Sequence, residues 1–451
     1  MTYRRFATRL CRHLPISLAV LAILGACRGG DPSTSPPGEL RIIITLTDRV
    51  DLTSFVIQDK QSRRSRIARA LTEKANATQP PFRALLQQKG GREMVFLPII
   101  NGIAVTVRSE LIPELLQLPG VESIALDSQQ TAPPVTSGVP DVPGWNLAAI
   151  HAPELWKLGF KGAGVVVANL DTGVDLVHAD LTARWRGGAD SWFDPFRHST
   201  APYDPIGHGT QTMGIIVGGD ASGSPIGVAP EAQWIAAKIY DDKGNTTASV
   251  IHQAFQWLLD PDGNPDTPDA PDVVNASWGI GNANGCDLTF QRDLEALKAA
   301  EIMVVFAAGN SGPQPLSSMS PANSAFSAGA IDSANEIASA SSRGPSACTG
   351  GLFPDLVAPG VNVQTADVSL AGVPQYQSFS GTSYAAPHLA GAAALLYAAA
   401  PGLTVGSLEL ALRASARDVG PPGPDDASGY GLVDVCAAYA AVKGLQGCNG
   451  H

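Results

Sequence analysis

Long apolar runs are nearly absent from this chain. The one candidate, residues 14–26, falls short of the roughly 20 residues a helix needs to cross a bilayer, so no membrane span is expected. Basic residues are scarce as well: 30 Lys and Arg stand against 41 Asp and Glu, for a net charge of −11. Nowhere do the cations run together long enough to track a phosphate backbone, which argues against nucleic acid as a partner. A diffuse acidic excess of this kind serves solubility. Glycine and proline, by contrast, are plentiful at 47 and 35. They favour tight turns and loops over a helical bundle. The apolar fraction of 44% suits a soluble globular protein, and 451 residues exceed one ordinary core. Two or three units are therefore expected.

Arg4, Arg5, Arg9 and Arg12 precede the apolar run, which ends in Leu24-Gly25-Ala26-Cys27. A basic stretch followed by a short apolar run marks an export signal. Its ending resembles the lipobox of bacterial lipoproteins. The resemblance implies that residues 1–27 are a signal peptide and that Cys27 is lipidated and becomes the new amino terminus. Residues 28–38, polar and rich in Ser, Pro and Gly, then read as a tether. The protein is expected to be exported, either as a cell-envelope lipoprotein anchored to a membrane by its lipid or, with an ordinary signal, as a secreted protein. Arg28 is not the aspartate that retains lipoproteins at the inner membrane of Gram-negative bacteria. In such a host the outer membrane is implied.

Six cysteines are present, at 11, 27, 286, 348, 436 and 448. Cys11 leaves with the signal and Cys27 would carry lipid. The other four are an even number in an oxidising compartment, and three pairings are possible. The nearness of Cys436 to Cys448 favours a bridge between them, leaving Cys286 for Cys348. Free buried thiols are the alternative.

Three parts follow the leader. Residues 39–127 mix strand-like runs (40–46, two within 96–107, 121–126) with helix-like stretches (61–74, 110–116). That mixture predicts a small α+β unit. Residues 128–143 carry Pro133, Pro134, Pro140 and Pro143 and read as an exposed linker, a natural place for processing. Residues 144–451 alternate apolar strands (164–170, 234–240, 272–276, 302–307) with helices (248–259, 290–300, 383–399). Fully apolar strands separated by helices predict an α/β fold, a parallel sheet covered by helices on both faces.

In such a sheet, functional groups gather where strands end. Asp171 ends the 164–170 strand, ahead of Thr172-Gly173. His208 stands in Gly207-His208-Gly209-Thr210, and Asn310 in Ala308-Gly309-Asn310. Ser383 lies in Gly381-Thr382-Ser383 at the head of an alanine-rich helix that contains Pro387. Each has a plain structural reading. A carboxylate or serine there caps a helix, an asparagine satisfies a turn, and one histidine among eight is more often structural. His178, His252 and His388 are read that way. Taken together the four match a chemistry. A serine hydroxyl needs a base, a neutral imidazole supplies it, a buried carboxylate orients the imidazole, and a fixed donor meets the oxyanion.

These motifs resemble the subtilisin-like (subtilase) peptidases, in that family's order of Asp, His and Ser. The resemblance covers residues 144–441 and includes Asn275-Ala276-Ser277-Trp278-Gly279 and Gly429-Tyr430-Gly431. Around Ser342-Arg343-Gly344-Pro345 it is nearest to bacillopeptidase F-like members. It implies a subtilisin-like serine endopeptidase with Asp171, His208 and Ser383 as catalytic triad and Asn310 as oxyanion donor. Ser277, Trp278, Gly279, Ala308 and Gly309 would bind the substrate backbone. Residues 39–127 resemble the family's pro-segment, which implies a precursor that processes itself and whose pro-segment inhibits it. Protein and peptide substrates, a monomer and no cofactor for catalysis are implied. A structural calcium ion is common among relatives, but no metal-ligand cluster stands out. The sequence departs from the family pattern at Gln211, where many relatives carry a second histidine, and at Tyr384, where methionine is common. The sedolisin relatives replace the histidine by glutamate and the asparagine by aspartate, so His208 and Asn310 exclude them. An α/β-hydrolase would need Gly-x-Ser-x-Gly, which Gly381-Thr382-Ser383-Tyr384-Ala385 fails. An inactive scaffold of the same fold would be expected to lack a triad member.

Overall fold

The computed structural model describes residues 38–448 apart from 57–58, 140, 281–284 and 314–320. The expected signal peptide, Cys27 and all of the tether but Gly38 lie outside the described residues. Among the described residues no helix is long and apolar enough to cross a membrane.

The amino-terminal unit is α+β, as its pattern predicts. Strands β1 (Glu39–Leu46), β2 (Arg92–Leu97), β3 (Gly102–Arg108) and β4 (Val121–Leu126) form an antiparallel sheet in the order β2-β3-β1-β4. Ile42, Ile44, Ile103 and Val105 bury one face under the unit's own apolar residues. Ile43 and Ala104 point the other way, into a core shared with the larger unit. A strand buried on both sides reads as an unbroken apolar run, which explains the triple isoleucine. Helix α1 (Lys60–Thr78) starts at Asp59, whose carboxylate accepts from the Ser62 N–H at 2.7 Å. The structure adds α2 (Pro80–Gln88), which the sequence pattern did not suggest. Its two leading prolines occupy first-turn positions, where a missing N–H costs nothing.

The larger unit holds a seven-stranded parallel sheet. Its strands are β6 (Val166–Asp171), β7 (Trp192–Phe193), β8 (Gln233–Lys238), β10 (Val273–Ala276), β11 (Met303–Ala307), β12 (Phe326–Ile331) and β13 (Leu356–Pro359), in the order β13-β12-β11-β10-β6-β8-β7. The short β5 (Gln129–Thr131) pairs with β9 (Asn245–Thr247), and β14 (Val363–Leu370) pairs with β15 (Val373–Phe379). Successive residues alternate between faces. Trp234 and Ala236 lie in one core with α3 (His208–Val217) and α6 (Thr382–Ala399). Ile235 and Ala237 lie in the other with α4 (Ala248–Leu259) and α5 (Gln291–Ala299). Strands β7, β12 and β13 were not legible in the sequence. β7 and β13 are short, and β12 carries only Ser, Ala, Gly and Ala between Phe326 and Ile331. The order reverses around β6, so a crevice opens at the carboxyl ends of the central strands. The disulfides Cys286–Cys348 and Cys436–Cys448 are both formed, as favoured above.

Helix α1 docks on the larger unit through charge. Arg64, 7% exposed, donates to the carbonyls of Ala300 (3.1 Å), Ala270 (3.1 Å) and Pro271 (2.7 Å). Lys60 pairs with Asp272 at 2.7 Å, and Arg63 pairs with Glu301. At the far end of the amino-terminal unit, the Asp127 carboxylate accepts from Ser249 N (2.8 Å) and Oγ (2.6 Å), capping α4 from outside. Of the expected linker, Gln129–Thr131 is held by strand pairing with Asn245–Thr247. Replacing Arg64 by methionine in a chain that also carries Ser383→Ala leaves three buried carbonyls without a donor. Urea titration should show it less stable than Ser383→Ala alone by about 2–4 kcal/mol. Coincident curves would mean that Arg64 does not hold the two units together.

Candidate active site

Strand β6 delivers Asp171 to the crevice floor, and α3 begins with His208 beside it. The two carboxyl oxygens lie 2.8 and 2.9 Å from His208 Nδ1, and Oδ1 also accepts from the Thr172 N–H at 2.7 Å. Both side chains are 1% exposed. The approach demands glycine. A Cβ on Gly209 would stand 2.0 Å from the Gly173 carbonyl oxygen, and Gly173 itself has φ +125°. Burial alone would lower the His208 pKa. The Asp171 charge and hydrogen bond, with Asp204 behind them, outweigh burial and raise it. With Nδ1–H given to the carboxylate, the Nε2 lone pair is free, and Nε2 is buried without a partner among the described residues. That is the state of a general base.

Ser383 is the second residue of α6, behind Gly381 at the cap position, so it is not the helix cap. Its Oγ donates to the Ser277 carbonyl at 3.1 Å, and Ser277 Oγ donates to the Ser383 carbonyl at 2.8 Å. Pro387 makes the second bond available. A helical carbonyl normally receives the N–H four residues on, and proline has none. Ser277 belongs to a buried chain of side chains. Its Oγ accepts from Asn275 Nδ2 at 3.0 Å, the same Nδ2 donates to Asn169 Oδ1 at 2.9 Å, and Asn169 Nδ2 reaches the Gly209 carbonyl at 3.0 Å. This network ties the turn of His208 to the turn of Ser383 through two neighbouring strands.

Asn310 stands beyond β11. Its Oδ1 accepts from Thr382 N (2.9 Å) and Thr382 Oγ1 (3.1 Å). The amide oxygen is thereby occupied, which turns Nδ2 outward as a donor. The roles of Thr382 and Asn169 were missed in the sequence, since a threonine or asparagine carries no signal of its own at such positions.

Two of the residues expected to bind the substrate backbone turn their side chains into the core. Trp278 is 2% exposed, its ring edge-on to Phe306 at 5.3 Å and Phe290 at 5.8 Å. It is a core side chain, so only its backbone can face a substrate. Ala308 is fully buried, with its N–H on the Ala328 carbonyl at 3.0 Å. The crevice is lined by Ser277, Trp278, Gly279, Ala307, Gly309 and Asn310. Alternation at the strand end puts 308 on the opposite side.

One wall of the crevice is the chain's own segment leading in from the amino-terminal unit. Gln129, Gln130 and Thr131 pair antiparallel with Thr247, Thr246 and Asn245, and the Ala132 N–H reaches the Gly244 carbonyl at 2.8 Å. Thr131, Ala132, Pro133 and Pro134 then line the same crevice as Ser277, Gly279, Asn310 and Ser383. Beyond it Thr136 accepts from Ser380 N at 3.0 Å, and Gly138 donates to the Ser378 carbonyl at 2.6 Å. The receiving strand 245–247 gave no sign of itself in the sequence. His178, His252 and His388 lie outside the crevice, in structural bonds to Gln375 O, Asp293 and Asn146. Separately, carboxylates of Asp260, Asp262 and Asp269 gather within 4.8 Å in a loop whose Thr267 carbonyl accepts from Gln61 of α1. Burial and its acidic neighbours push Asp269 up to about 6. Such a group suits a hard cation.

The family model described as "Subtilase family" matches residues 162–431. Bacillopeptidase F of Bacillus subtilis (strain 168) is 34% identical over 383 residues, 76% of this chain but 26% of that protein. The aligned part is thus about a quarter of that relative's length. Subtilisin E of the same strain is 32% identical over 359 residues, 78% of this chain and 84% of the relative. Subtilisin Savinase of Lederbergia lenta is 35% identical over 294 residues, 65% of this chain and 97% of the relative.

The raised His208 pKa has a consequence with a definite sign. The base works only when neutral, so the acid limb of kcat/KM should fall above the ordinary imidazole value of about 6.5. Asp171→Asn removes the main raising influence. It should move that limb to lower pH and cut kcat by roughly 10⁴. Peptide hydrolysis measured across pH checks both. A limb that stays in place would show that Asp171 does not act on the group being titrated.

Proposed function

From the chain's membership of the subtilase family of serine peptidases, we propose that Asp171, His208 and Ser383 cleave peptide bonds in extended polypeptide segments, the first being the chain's own residues 131–134. The observation that carries this reading is the seating of that segment. It adds a strand to β9 by main-chain hydrogen bonds and then passes Ser383, which is how a peptidase holds substrate of varied sequence.

In this mechanism the Ser383 hydroxyl turns from the Ser277 carbonyl to Nε2 of His208. Oγ attacks the carbonyl carbon, and Nε2 takes the proton. The oxygen that becomes negative meets Asn310 Nδ2 and the Ser383 N–H, a donor pair in place before charge develops. His208 returns the proton to the leaving nitrogen as the C–N bond breaks. Water then repeats the cycle on the acyl-enzyme, with His208 again as base. Asp171 keeps the imidazole in one tautomer throughout. None of these steps calls on a cofactor.

Residues 39–127 act in this reading as an inhibitory pro-segment, anchored by Arg64 and Asp127 and joined to the enzyme through the bound segment. Export through residues 1–27, with lipid on Cys27, completes the proposal. The two disulfides agree with an oxidising compartment.

The bound segment is a poor substrate by composition. Pro133 and Pro134 have no N–H to offer the crevice, and the Ser277 carbonyl takes the Ser383 hydroxyl instead. Self-cleavage should therefore be slow, with the new amino terminus between 132 and 135. Changing both prolines to alanine restores a backbone donor. Processing should then quicken by up to roughly tenfold, the worth of one net hydrogen bond. Gel analysis with amino-terminal sequencing reads rate and site. The Ser383→Ala chain should stay intact and leave casein uncut, and casein hydrolysis by it would refute the assignment of the nucleophile.

A further inference from the structure

Gln211 and Tyr384, the two departures from the family pattern, are each other's partners. The Tyr384 hydroxyl donates to Gln211 Oε1 at 2.9 Å, and Gln211 Nε2 donates to Asp367 Oδ1 at 3.1 Å. Tyr384 follows Ser383 in α6. Gln211 lies three residues after His208 in α3, close to one helical turn, so it projects from the same side. The bond therefore spans the two helices that carry the nucleophile and the base.

The surroundings make this bond costly to lose. Tyr384 is 1% exposed and Gln211 2% exposed. A buried hydroxyl or amide left without its partner loses about 1–3 kcal/mol. The phenol ring stacks on Phe379 at 5.4 Å between centroids and stands 6.0 Å from the His208 ring. Burial, then the charges of Asp171 and Asp367, hold the phenol proton well above its ordinary range, so the group remains a donor. The Asn169–Asn275–Ser277 network joins the same two helices from the sheet side, but it grips backbone carbonyls. Asp171 holds the imidazole only through Nδ1, which leaves the ring able to swing about that contact. Tyr384 supplies the packing on its flank.

Resting on the peptidase reading, we infer that Tyr384 and Gln211 are positioning residues, whose hydrogen bond sets the separation and angle between Ser383 Oγ and His208 Nε2. Neither residue lines the crevice with the bound segment, so substrate binding should be indifferent to them. The chemical step should not be.

The test uses the protein after self-processing, with Tyr384→Phe, Gln211→Met and the double change. Active sites are titrated with a fluorophosphonate, so that kcat is stated per reactive Ser383 and loss of folded protein does not enter. Each single change should lower kcat by roughly 10- to 10²-fold, the range a small misplacement of reacting groups produces, with KM unmoved. The double change should be no worse than the poorer single, because both remove one bond. Should Gln211→Met not fold, Gln211→Asn keeps the amide but shortens its reach and reads the same bond. Values of kcat within twofold of the unaltered protein, a change confined to KM, or losses that multiply in the double variant would each overturn the inference. If the unaltered protein itself neither takes up the fluorophosphonate nor cuts peptide, the peptidase reading fails instead.

Discussion

A carboxylate as deeply buried as Asp171 persists only if its charge is met from every side, because an unpaired charge in a protein interior costs several kcal/mol. The Thr172 N–H and His208 Nδ1 meet it. That requirement governs the neighbourhood. It pulls the end of β6 and the start of α3 into backbone contact, which only Gly173 and Gly209 permit. It also decides the histidine tautomer, and with it that Nε2 is the nitrogen left without a hydrogen-bond partner among the described residues. Strand β6 is the place where the sheet order reverses, so the pair lies in the crevice that parallel topology opens for ligands.

Around that pair the molecule uses hydrogen bonds in layers. Within the sheet, Asn169 and Asn275 sit side by side on paired strands and carry the connection from Gly209 to Ser383 through Ser277. Thr382 holds the Asn310 oxygen and so turns its nitrogen outward. Tyr384 and Gln211 close the far side. Pro387 has its effect by omission, since the missing N–H leaves the Ser383 carbonyl free for Ser277. An active site of this kind is preorganised because each orienting group is itself held by a further bond, which spares reorganisation when charge develops.

The amino-terminal unit depends on the same crevice. Its sheet shares a core with α4 and α5, its Asp127 caps α4, and the chain then runs on as β5 and along the wall of the crevice. The amino-terminal unit and the segment along the crevice are thus one continuous stretch, and Pro133 and Pro134 share that crevice with Ser383.

The order and spacing of short motifs were enough to indicate the chemistry. Asp171, His208, Asn310 and Ser383 stand out as candidates because hydrolysis needs those residue types and because glycine beside them marks close backbone approach. The two-layered α/β plan and the α+β unit before it were also legible, since apolar periodicity records which faces are buried. β12, with Ser, Ala, Gly and Ala at its centre, left no periodic trace. That the side chains of Trp278 and Ala308 are buried was not legible, because alternation at a strand end depends on where the strand stops. What only the tertiary structure decided was partnership: that Tyr384 meets Gln211 across 173 residues, that Asn169 serves Ser383 through two other side chains, and that residues 129–134 lie in the groove instead of hanging free. Partners distant in the chain meet through packing, and a single polar residue does not record in its own identity which neighbour the fold will bring to it.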